Sequence, residues 1–530
     1  NTKQGVFLGH TRLSIQDTSK SNNQPYKRDN IKLVFNGEIY NFLELRNNLI
    51  NQGYSFRTTG DTEVLANAWL RYGEDALNLF DGMYAFALFH NKELFLTVDI
   101  FGEKPLYWCE NNDGVYFSSE PAPLIDLLNL EVDLSEDRKN EFLALGYIPS
   151  PYTAFKGLQR CEPATIIKIS PLGKVSQRRY WKKPEQYISN GRLHPISKLE
   201  LDTIEEKLTS SLSRRLIADV PKGLFLSSGV DSSLIASIMC KNLDEDVQAL
   251  TVAYNSNDIH DESMSAKKIA DYLNIEHILV NSEELNSEYN LNELDTIFNE
   301  PNIGLTAFSV RQMSRLSKKY FTVALAGTGG DEVFFGYGKH YFFYKYRHIL
   351  TNQLLKSFFR KMEFFTKYSK RAKTYNYLSS FNNNELLFAL KNSPYYADIK
   401  WTKKLSKVSN SYFNDVSAID LVLKTRNFDM DINLPNMVIP AIERASMREG
   451  LEVRTPFLNR ELLEVVSNID YRKFVAFGQK NVLRLLLERF LPKNLFDFPK
   501  KGFIFPTDVL LQNSTQYIQS GVQTNMDIKY

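Results

Sequence analysis

The sequence predicts two units of mixed α/β class. Over residues 1–195 it predicts an α+β domain of packed antiparallel sheets, and over residues 196–530 a doubly wound parallel sheet with helical additions. Short runs rich in β-branched and aromatic residues, broken by Gly, Asn and Asp, fill the first 125 residues and are typical of hairpins. Strand-like and helical segments then alternate, which is typical of a parallel sheet.

The composition limits the class of protein. Of 530 residues, 24% are charged and 43% hydrophobic, as in ordinary globular domains. The 64 basic and 62 acidic residues give a net charge of +2, so we expect no nucleic-acid partner. Three cysteines do not make a disulfide framework and favour a reducing, cytoplasmic setting. The apolar runs are too short for an integral membrane segment.

Strands dominate the first domain. Helices are predicted near Asn41–Gln52 and Asp61–Tyr72, the second capped by Asp61 or Thr62. Residues 126–195, which include the strand-like TIIKIS, favour a connecting extension that ends in the linker RRYWKKPEQYISNGRLHP. The predicted strands lie in GVFLGHTRLSI, IKLVFNGEIYN, MYAFALFHN, ELFLTVD, KPLYWCE and GVYFSSE.

The second domain begins with a predicted amphipathic helix over Leu199–Ile217. The strand GLFLSS runs into a helix that begins at Asp231, and QALTVAY, HILV and FTVALA are further strands separated by helices. Ligands of such sheets bind beyond the carboxyl ends of the strands. This rule indicates two loops, SSGVDSS and GTGGDE.

The loop within Leu224–Ser233 (LFLSSGVDSS) has the features of a phosphate site. Its glycine permits a tight turn, and hydroxyls, backbone N–H groups and a helix N-terminus favour an anion. Because Asp231 would repel a bare phosphate, we interpret it as a Mg²⁺ ligand. The sequence has no GxxxxGK[ST] motif of the Walker type. The alternative interpretation is an ordinary capped helix after a turn.

The second loop lies within Ala326–His340 (AGTGGDEVFFGYGKH). Three glycines before Asp331 and Glu332 let the backbone approach a ligand closely. Asp331 is a second candidate ligand for Mg²⁺. Alone the glycines indicate only a turn, but paired with the first loop they indicate a nucleotide site.

The chain resembles glutamine-hydrolysing asparagine synthetases along almost its whole length. The resemblance implies an N-terminal-nucleophile glutaminase domain with an antiparallel sandwich, and a synthetase domain of the ATP-pyrophosphatase type. It implies that ATP adenylates a carboxylate, aspartate first among candidates, and that ammonia from glutamine reaches the acyl-adenylate through a tunnel. Homodimers are common in the family. The matching motifs are LGHTRLSI, NGEIYN, TGDTEV, DGMYAFAL, VDIFGEKPLY, FSSE, RRLIADVPKGLFLSSGVDSS, GGDEVFFGY, RASM, LEVRTPFL, QKNVLR and KKGF.

The resemblance assigns a glutamine pocket. Arg12 matches the arginine that holds the glutamine carboxylate, and Asn36 and Gly37 match the oxyanion-hole pair. Glu38 and Asp61 match acidic residues around the glutamine amino group. On spacing alone, Asn36 and Gly37 would indicate a hairpin turn instead.

The resemblance also assigns an ATP site. Lys480 matches a lysine that stabilises charge on the phosphate during adenylation, although a lone lysine at a helix start is usually only solvated. Asp231 and Asp331 match metal ligands. The residues that match ATP contacts are Phe225, Ser227, Gly229, Asp231, Ser232, Ser233, Val252, Ala253, Ala326 and Gly327.

The family's nucleophile, a cysteine at the processed N-terminus, has no match in this chain. We expect that about 50 residues are missing before NTKQGVFLGH and that the upstream codons encode Met-Cys-Gly. The alternative is a protein that has lost glutaminase chemistry. Cys109, Cys161 and Cys240 do not match the nucleophile.

The acceptor assignment stays open. Thr328 stands where the family commonly has an acidic residue, and a threonine cannot act unaided as a general base at neutral pH. Ser228 replaces a usual glycine, and Asn299 and Asn459 replace usual aspartates. The alternatives are a uronic acid of surface polysaccharides, closure of a lactam, or a non-catalytic binding relative.

The segment Lys339–Lys373 is basic and aromatic. It contains ten Lys or Arg residues and one acid, Glu363, with Phe and Tyr between them. The pattern favours an amphipathic helical hairpin with a solvated basic face. The sharper hypothesis is a surface that recruits an anionic acceptor through Lys356, Arg360 and Lys361.

Overall fold

The first half of the chain forms two antiparallel sheets. The computed structural model describes residues 5–246, 248–253, 262–281, 292–351, 354, 357 and 421–497. The strands are β1 (Tyr26–Arg28), β2 (Ile31–Ile39), β3 (Gly82–His90), β4 (Glu93–Val98), β5 (Tyr107–Asn111), β6 (Gly114–Ser118), β7 (Gln159–Arg160), β8 (Thr165–Ile169) and β9 (Val175–Arg179). The larger sheet has the order β1-β2-β3-β4-β8-β9, and the smaller one the order β6-β5-β7.

Each face of the larger sheet has its own covering layer. Because side chains alternate along a strand, successive residues enter different cores. Phe86 and Phe95 pack against Trp69, with ring centroids 6.0 and 4.9 Å from it. Leu96 and Trp108 pack together on the opposite face, against the smaller sheet. The helices of this half are α1 (Phe42–Asn51), α2 (Asp61–Tyr72), α3 (Ala122–Leu128) and α4 (Glu136–Leu145).

Two expectations for this half are wrong. Residues 126–195 are more than a connecting extension, because β8 pairs with β4 inside the larger sheet. Most residues of β8 are buried, so this strand belongs to the core of the first half and not to a linker. Neither Asp61 nor Thr62 caps α2, since Gly60 is the N-cap residue and Asp61 is the first residue of the helix.

The second half contains a parallel five-stranded sheet. Its strands are β10 (Lys222–Phe225), β11 (Gln248–Ala253), β12 (Glu276–Asn281), β13 (Val323–Leu325) and β14 (Glu452–Arg454). They lie in the order β12-β11-β10-β13-β14, and every neighbouring pair is parallel. The first four strands were predicted, whereas β14 was not.

Helices cover both faces of this sheet. Leu224 packs in one core with Leu234 and Ile269, whereas its neighbour Phe225 packs in another core with Met313. The structure therefore confirms the predicted fold class. The helices are α5 (Lys198–Arg215), α6 (Val230–Asn242), α7 (Ser263–Leu273), α8 (Asn292–Phe298), α9 (Thr306–Ser317), α10 (Gly330–Val333), α11 (Gly338–Thr351), α12 (Leu421–Phe428), α13 (Ile439–Arg448), α14 (Arg460–Ser467), α15 (Arg472–Val475) and α16 (Asn481–Leu487), and a π-helical segment spans Asp429–Val438.

Buried ion pairs join the two halves. The ammonium of Lys104 lies 3.4 Å from the Glu443 carboxylate, and the guanidinium of Arg160 lies 2.7 Å from that of Glu300. The boundary between residues 195 and 196 stays a prediction.

The basic aromatic segment is described only in part. Residues 352–373, apart from 354 and 357, lie outside the described residues, and so do Lys356, Arg360 and Lys361. The hypothesis that this surface recruits an anionic acceptor stays a prediction. Separately, none of the helices in the described ranges is long and apolar enough to cross a membrane.

Candidate functional site

The five residues assigned to glutamine line one small cavity of about 60 Å³ in the first half of the chain. Arg12 donates from Nη2 to the backbone carbonyls of Gln16 and Asp17, both at 2.7 Å. Its Nη1 has no hydrogen-bond partner among the described residues. The guanidinium is therefore held on one side and able to bind a carboxylate on the other. The five residues are Arg12, Asn36, Gly37, Glu38 and Asp61.

Asn36 and Gly37 lie in the middle of β2, so the hairpin-turn interpretation is wrong. Gly37 has a φ of +134°, and a Cβ built there would lie 2.0 Å from the carbonyl oxygen of Met83. Only glycine fits such a close approach of β2 and β3. The glycine at position 37 is therefore explained by the close contact between β2 and β3 and not by a turn.

A cluster of carboxyl groups forms the floor of the cavity. Asp61 accepts a hydrogen bond from the Ile39 N–H at 2.9 Å, and burial still raises the pKa of Asp61 to about 6. Burial, with the charges of Asp61 and Glu452, raises the pKa of Glu38 well above its usual value. Arg454 opposes this shift from 3.7 Å away. The cluster is suited to an ammonium group.

The second half of the chain completes this cavity. Met447 and Glu452 line it, and Glu452 accepts from Arg454 Nε at 2.8 Å. Sequence reasoning missed both lining residues. The motifs RASM and LEVRTPFL contain them, but nothing in either motif indicates contact with a pocket about 400 positions earlier in the chain.

A second cavity, of about 640 Å³, lies beyond the carboxyl ends of β10, β11 and β13. This is where the rule for open parallel sheets places a ligand. The structure brings most of the predicted ATP and metal residues together on its wall. They are Phe225, Ser227, Gly229, Asp231, Ser232, Val252, Ala326, Gly327, Asp331 and Lys480.

Two predicted ATP contacts lie elsewhere. Ser233 is fully buried, and its hydroxyl donates to the Gly229 carbonyl at 2.8 Å. Ala253 ends β11 but does not belong to the described wall. Ser233 therefore supports the loop from within the core rather than facing the cavity.

Serine hydroxyls hold the first loop in shape. The N–H groups of Ser227 and Gly229 donate at 3.1 Å to the hydroxyls of Ser232 and Ser227. The Ser228 N–H donates to a Glu262 carboxylate oxygen at 3.2 Å. These bonds fix the shape of the loop, and they give the N–H groups of all three residues acceptors within the protein. A phosphate that binds these N–H groups must replace those acceptors.

Lys480 lies between the two acidic residues of the loops. Its ammonium pairs with the Asp231 carboxylate and lies 2.8 Å from that of Asp331. Burial lowers the pKa of Lys480, but the two carboxylates outweigh burial and raise it above its usual value. Gly327 allows the second loop to lie this close to the first, since a Cβ at position 327 would lie 2.9 Å from the Asp231 Cβ.

The same two carboxylates fit a divalent cation. They converge on one cationic group, and carboxylate oxygens are the ligands that Mg²⁺ prefers. No group of three or more His, Cys, Asp or Glu residues forms a cage in the part of the chain that the structure describes. A cation held by Asp231 and Asp331 would therefore take its remaining ligands from phosphate and water.

Other lining residues were missed by sequence reasoning. Burial raises the pKa of Glu332 to about 7, and Tyr337 donates to its carboxylate at 2.6 Å. Both residues belong to the GGDEVFFGY motif, but nothing in the sequence of that motif indicates that Glu332 and Tyr337 face a cavity. Thr251, Val310, Met313, Met437 and Val438 also line it.

Comparisons with known proteins match both halves. The asparagine synthase model matches residues 203–520, and the glutamine amidotransferase domain model matches residues 1–181. The chain belongs to the asparagine synthase family.

Relatives in this family match along most of the chain. An asparagine synthetase [glutamine-hydrolyzing] 1 of Bacillus subtilis (strain 168) is 28% identical, over 99% of this chain and 84% of its own. A putative asparagine synthetase [glutamine-hydrolyzing] 2 of Methanocaldococcus jannaschii is 31% identical, over 63% of this chain and 67% of its own. As an asparagine synthase family member, the chain is a glutamine-dependent ligase that uses ATP.

Proposed function

We propose that this ligase makes asparagine from aspartate. The observation that supports the proposal is the pair of cavities, one lined by the glutamine residues and one by the nucleotide residues, on the two sides of β14. Glu452 lines the first cavity and its neighbour Val453 lines the second. The two cavities therefore adjoin the same strand, and ammonia released in one must pass β14 to reach the other.

In the glutamine cavity, each group has a role that its chemistry suits. The free side of Arg12 binds the α-carboxylate, and Glu38 and Asp61 hold the α-ammonium. The Asn36 amide and the Gly37 N–H donate to the oxyanion that forms on the side-chain carbonyl. The predicted nucleophile is a cysteine that is not part of this sequence, and Cys109, Cys161 and Cys240 do not line the cavity.

In the nucleotide cavity, a carboxylate oxygen of the acceptor attacks the α-phosphorus of ATP, and pyrophosphate leaves. Lys480 stabilises the negative charge that develops on the phosphate. Ammonia then attacks the acyl carbon, AMP leaves with the bonding electron pair, and the new amide nitrogen loses a proton. Mg²⁺ held by Asp231 and Asp331 would supply neutralisation of phosphate charge.

Pyrophosphate release tests the proposal. ATP, Mg²⁺ and ammonium chloride are supplied with aspartate, glutamate, glucuronate or no acceptor, so that glutamine hydrolysis is not required. We expect aspartate-dependent release with formation of asparagine and AMP in equal amounts. Release with none of the carboxylates would contradict the proposal.

A second candidate is an amidotransferase for a uronic acid or another carboxylate. Thr328 favours it, because this position lines the nucleotide cavity and carries no acid to assist ammonia attack. Release with glucuronate but not with aspartate would establish this candidate. ATP binding without release would favour a non-catalytic relative instead.

Cellular location and assembly are further parts of the proposal. The three cysteines are free, which supports a reducing, cytoplasmic setting. A homodimer is proposed from the family resemblance, and light scattering of the purified protein tests it.

A further inference from the structure

The wall of the nucleotide cavity carries little positive charge. Among the described residues that line it, only Lys480 and Arg484 are basic. Lys480 is shared by the two loop carboxylates, since it pairs with Asp231 and lies 2.8 Å from Asp331. Of these two basic residues, Arg484 alone is not held by the loop carboxylates. The acidic residues that line the cavity are Asp231, Glu262, Asp331 and Glu332.

Arg484 follows Lys480 by one turn of helix α16. The Arg484 N–H donates to the Lys480 carbonyl at 2.9 Å, and residues four positions apart lie on the same face of a helix. Nη1 of Arg484 donates to the exposed carboxylate of Asp497 at 2.8 Å. Because a guanidinium carries several N–H donors in a planar fork, this bond leaves it able to bind a further anion.

The packing of α16 places Arg484 near the first loop. Leu483 of α16 shares a core with Leu234 of α6, and the two helices pack together. Lys480 directly precedes α16 and contacts Asp231 in the first turn of α6, which begins at that loop. One helical turn rises about 5.4 Å, a distance that three linked phosphates can cover. A triphosphate at the loop and Lys480 therefore reaches Arg484.

The first loop itself offers a phosphate little unpaired donor capacity. The N–H groups of Ser227, Ser228 and Gly229 each have an acceptor within the protein. The negative charge of a bound triphosphate must therefore be balanced largely by cationic side chains, together with the divalent cation that the loop carboxylates would hold. Since Lys480 serves the α-phosphate in the proposed reaction, the β- and γ-phosphates still need a cation.

We infer that Arg484 binds the β- and γ-phosphates of ATP and holds pyrophosphate as it leaves. When the acceptor oxygen attacks the α-phosphorus, the bond from that phosphorus to the bridging oxygen breaks, and pyrophosphate takes the electron pair. The Arg484 guanidinium neutralises the charge that develops there. This inference rests on the part of the proposed function that places ATP in this cavity, and it does not depend on the identity of the acceptor.

The affinities of Arg484→Gln for three ligands test the inference. ATP, inorganic pyrophosphate and AMP are titrated with Mg²⁺ in a calorimeter, without an acceptor. We expect the Kd values of ATP and pyrophosphate to rise about tenfold, the size of effect that hydrogen bonds to charged groups give. The Kd of AMP, which lacks both outer phosphates, should not change, and this also shows that the variant folds. Arg484→Lys keeps a positive charge and should recover part of the affinity.

Arg489→Gln is the matched control. Arg489 pairs with Asp202 and Glu205, and its side chain is 29% exposed, against 27% for that of Arg484. It does not belong to the described wall of the cavity, so all three Kd values should stay unchanged.

Two results would overturn the inference. One is an equal loss of affinity for ATP and AMP in Arg484→Gln. The other is an unchanged Kd for ATP in Arg484→Gln while Lys480→Met weakens ATP binding. Failure of the proposed function is distinct, because Lys480→Met would then leave ATP binding unchanged as well.

Discussion

The Arg454 guanidinium lies 3.7 Å from the Glu38 carboxylate. Glu38 belongs to β2 of the glutamine half, and Arg454 belongs to β14 of the synthetase half. Arg454 also donates from Nε to Glu452 at 2.8 Å and from Nη1 to the carbonyls of Arg215 and Ile217. One fully buried cation therefore serves both halves of the molecule.

Arg454→Gln should destabilise the fold. It leaves Glu38 and Glu452 buried without their cation, and removal of one partner from a buried pair costs about 3–5 kcal/mol. Urea denaturation measures the free energy of unfolding. Adding Glu452→Gln should recover part of the loss, and Arg460→Gln, which breaks a more exposed pair with Glu464, should cost about 1 kcal/mol or less.

Gly37→Ala should lower the free energy of unfolding by at least about 2 kcal/mol. The added methyl group would meet the Met83 carbonyl, in a backbone conformation that alanine rarely adopts. Differential scanning calorimetry measures the effect. Gly9→Ala, which meets nothing within 4 Å, is the matched control, and equal stability of the two variants would contradict the geometry.

Lys480→Met should lower the rate of pyrophosphate release by about 100-fold or more, because no cation then stabilises the developing phosphate charge. Steady-state kinetics with ATP and the active acceptor measure this rate. Lys473→Met is the control, since Lys473 pairs with Glu200 and does not line the cavity. Similar losses in both variants would show that charge at Lys480 has no special role.

Glu103 should make stability depend on pH. Burial and the charge of Asp99 raise the pKa of Glu103 from 4.5 to about 8 in the fold. Because the folded pKa lies above the unfolded one, this contribution to stability is fully present below about pH 4.5 and is lost progressively as the pH rises to about 8.

Glu103→Gln cannot ionise and should escape this loss. Its Tm should match that of the wild type at pH 4, where Glu103 is protonated in both states, and exceed it by about 2 °C or more at pH 9. Glu110→Gln, at an exposed position of β5, is the control that should track the wild type throughout. A wild type that gains stability relative to Glu103→Gln between pH 4 and 9 would contradict the raised pKa of Glu103.

Local patterns predicted much of the fold. The helix over Asp61–Tyr72 and the strand, loop and helix around Asp231 lie where the sequence placed them, because periodicity and glycine position are local properties. The three residues of β14 are too few for a periodic pattern. The turn rule failed at Gly37, where contact with the distant Met83 determines the conformation.

The site residues likewise divide into those that local sequence predicts and those that depend on tertiary packing. The residues of the two loops could be found because each loop is continuous in sequence. The contributions of Met447 and Glu452 to the glutamine cavity could not, because they depend on how the two halves pack. Resemblance to a family supplied the roles of Arg12 and Lys480, which spacing alone would have left as solvated side chains.

Strand β14 has a consequence for how this sequence can change. Glu452 and Val453 are adjacent in the chain but face different cavities, as successive strand residues do. An insertion or deletion of one residue here would turn each side chain toward the wrong cavity. We expect that evolutionary changes of acceptor leave the length of this segment fixed and occur instead on walls that serve a single cavity.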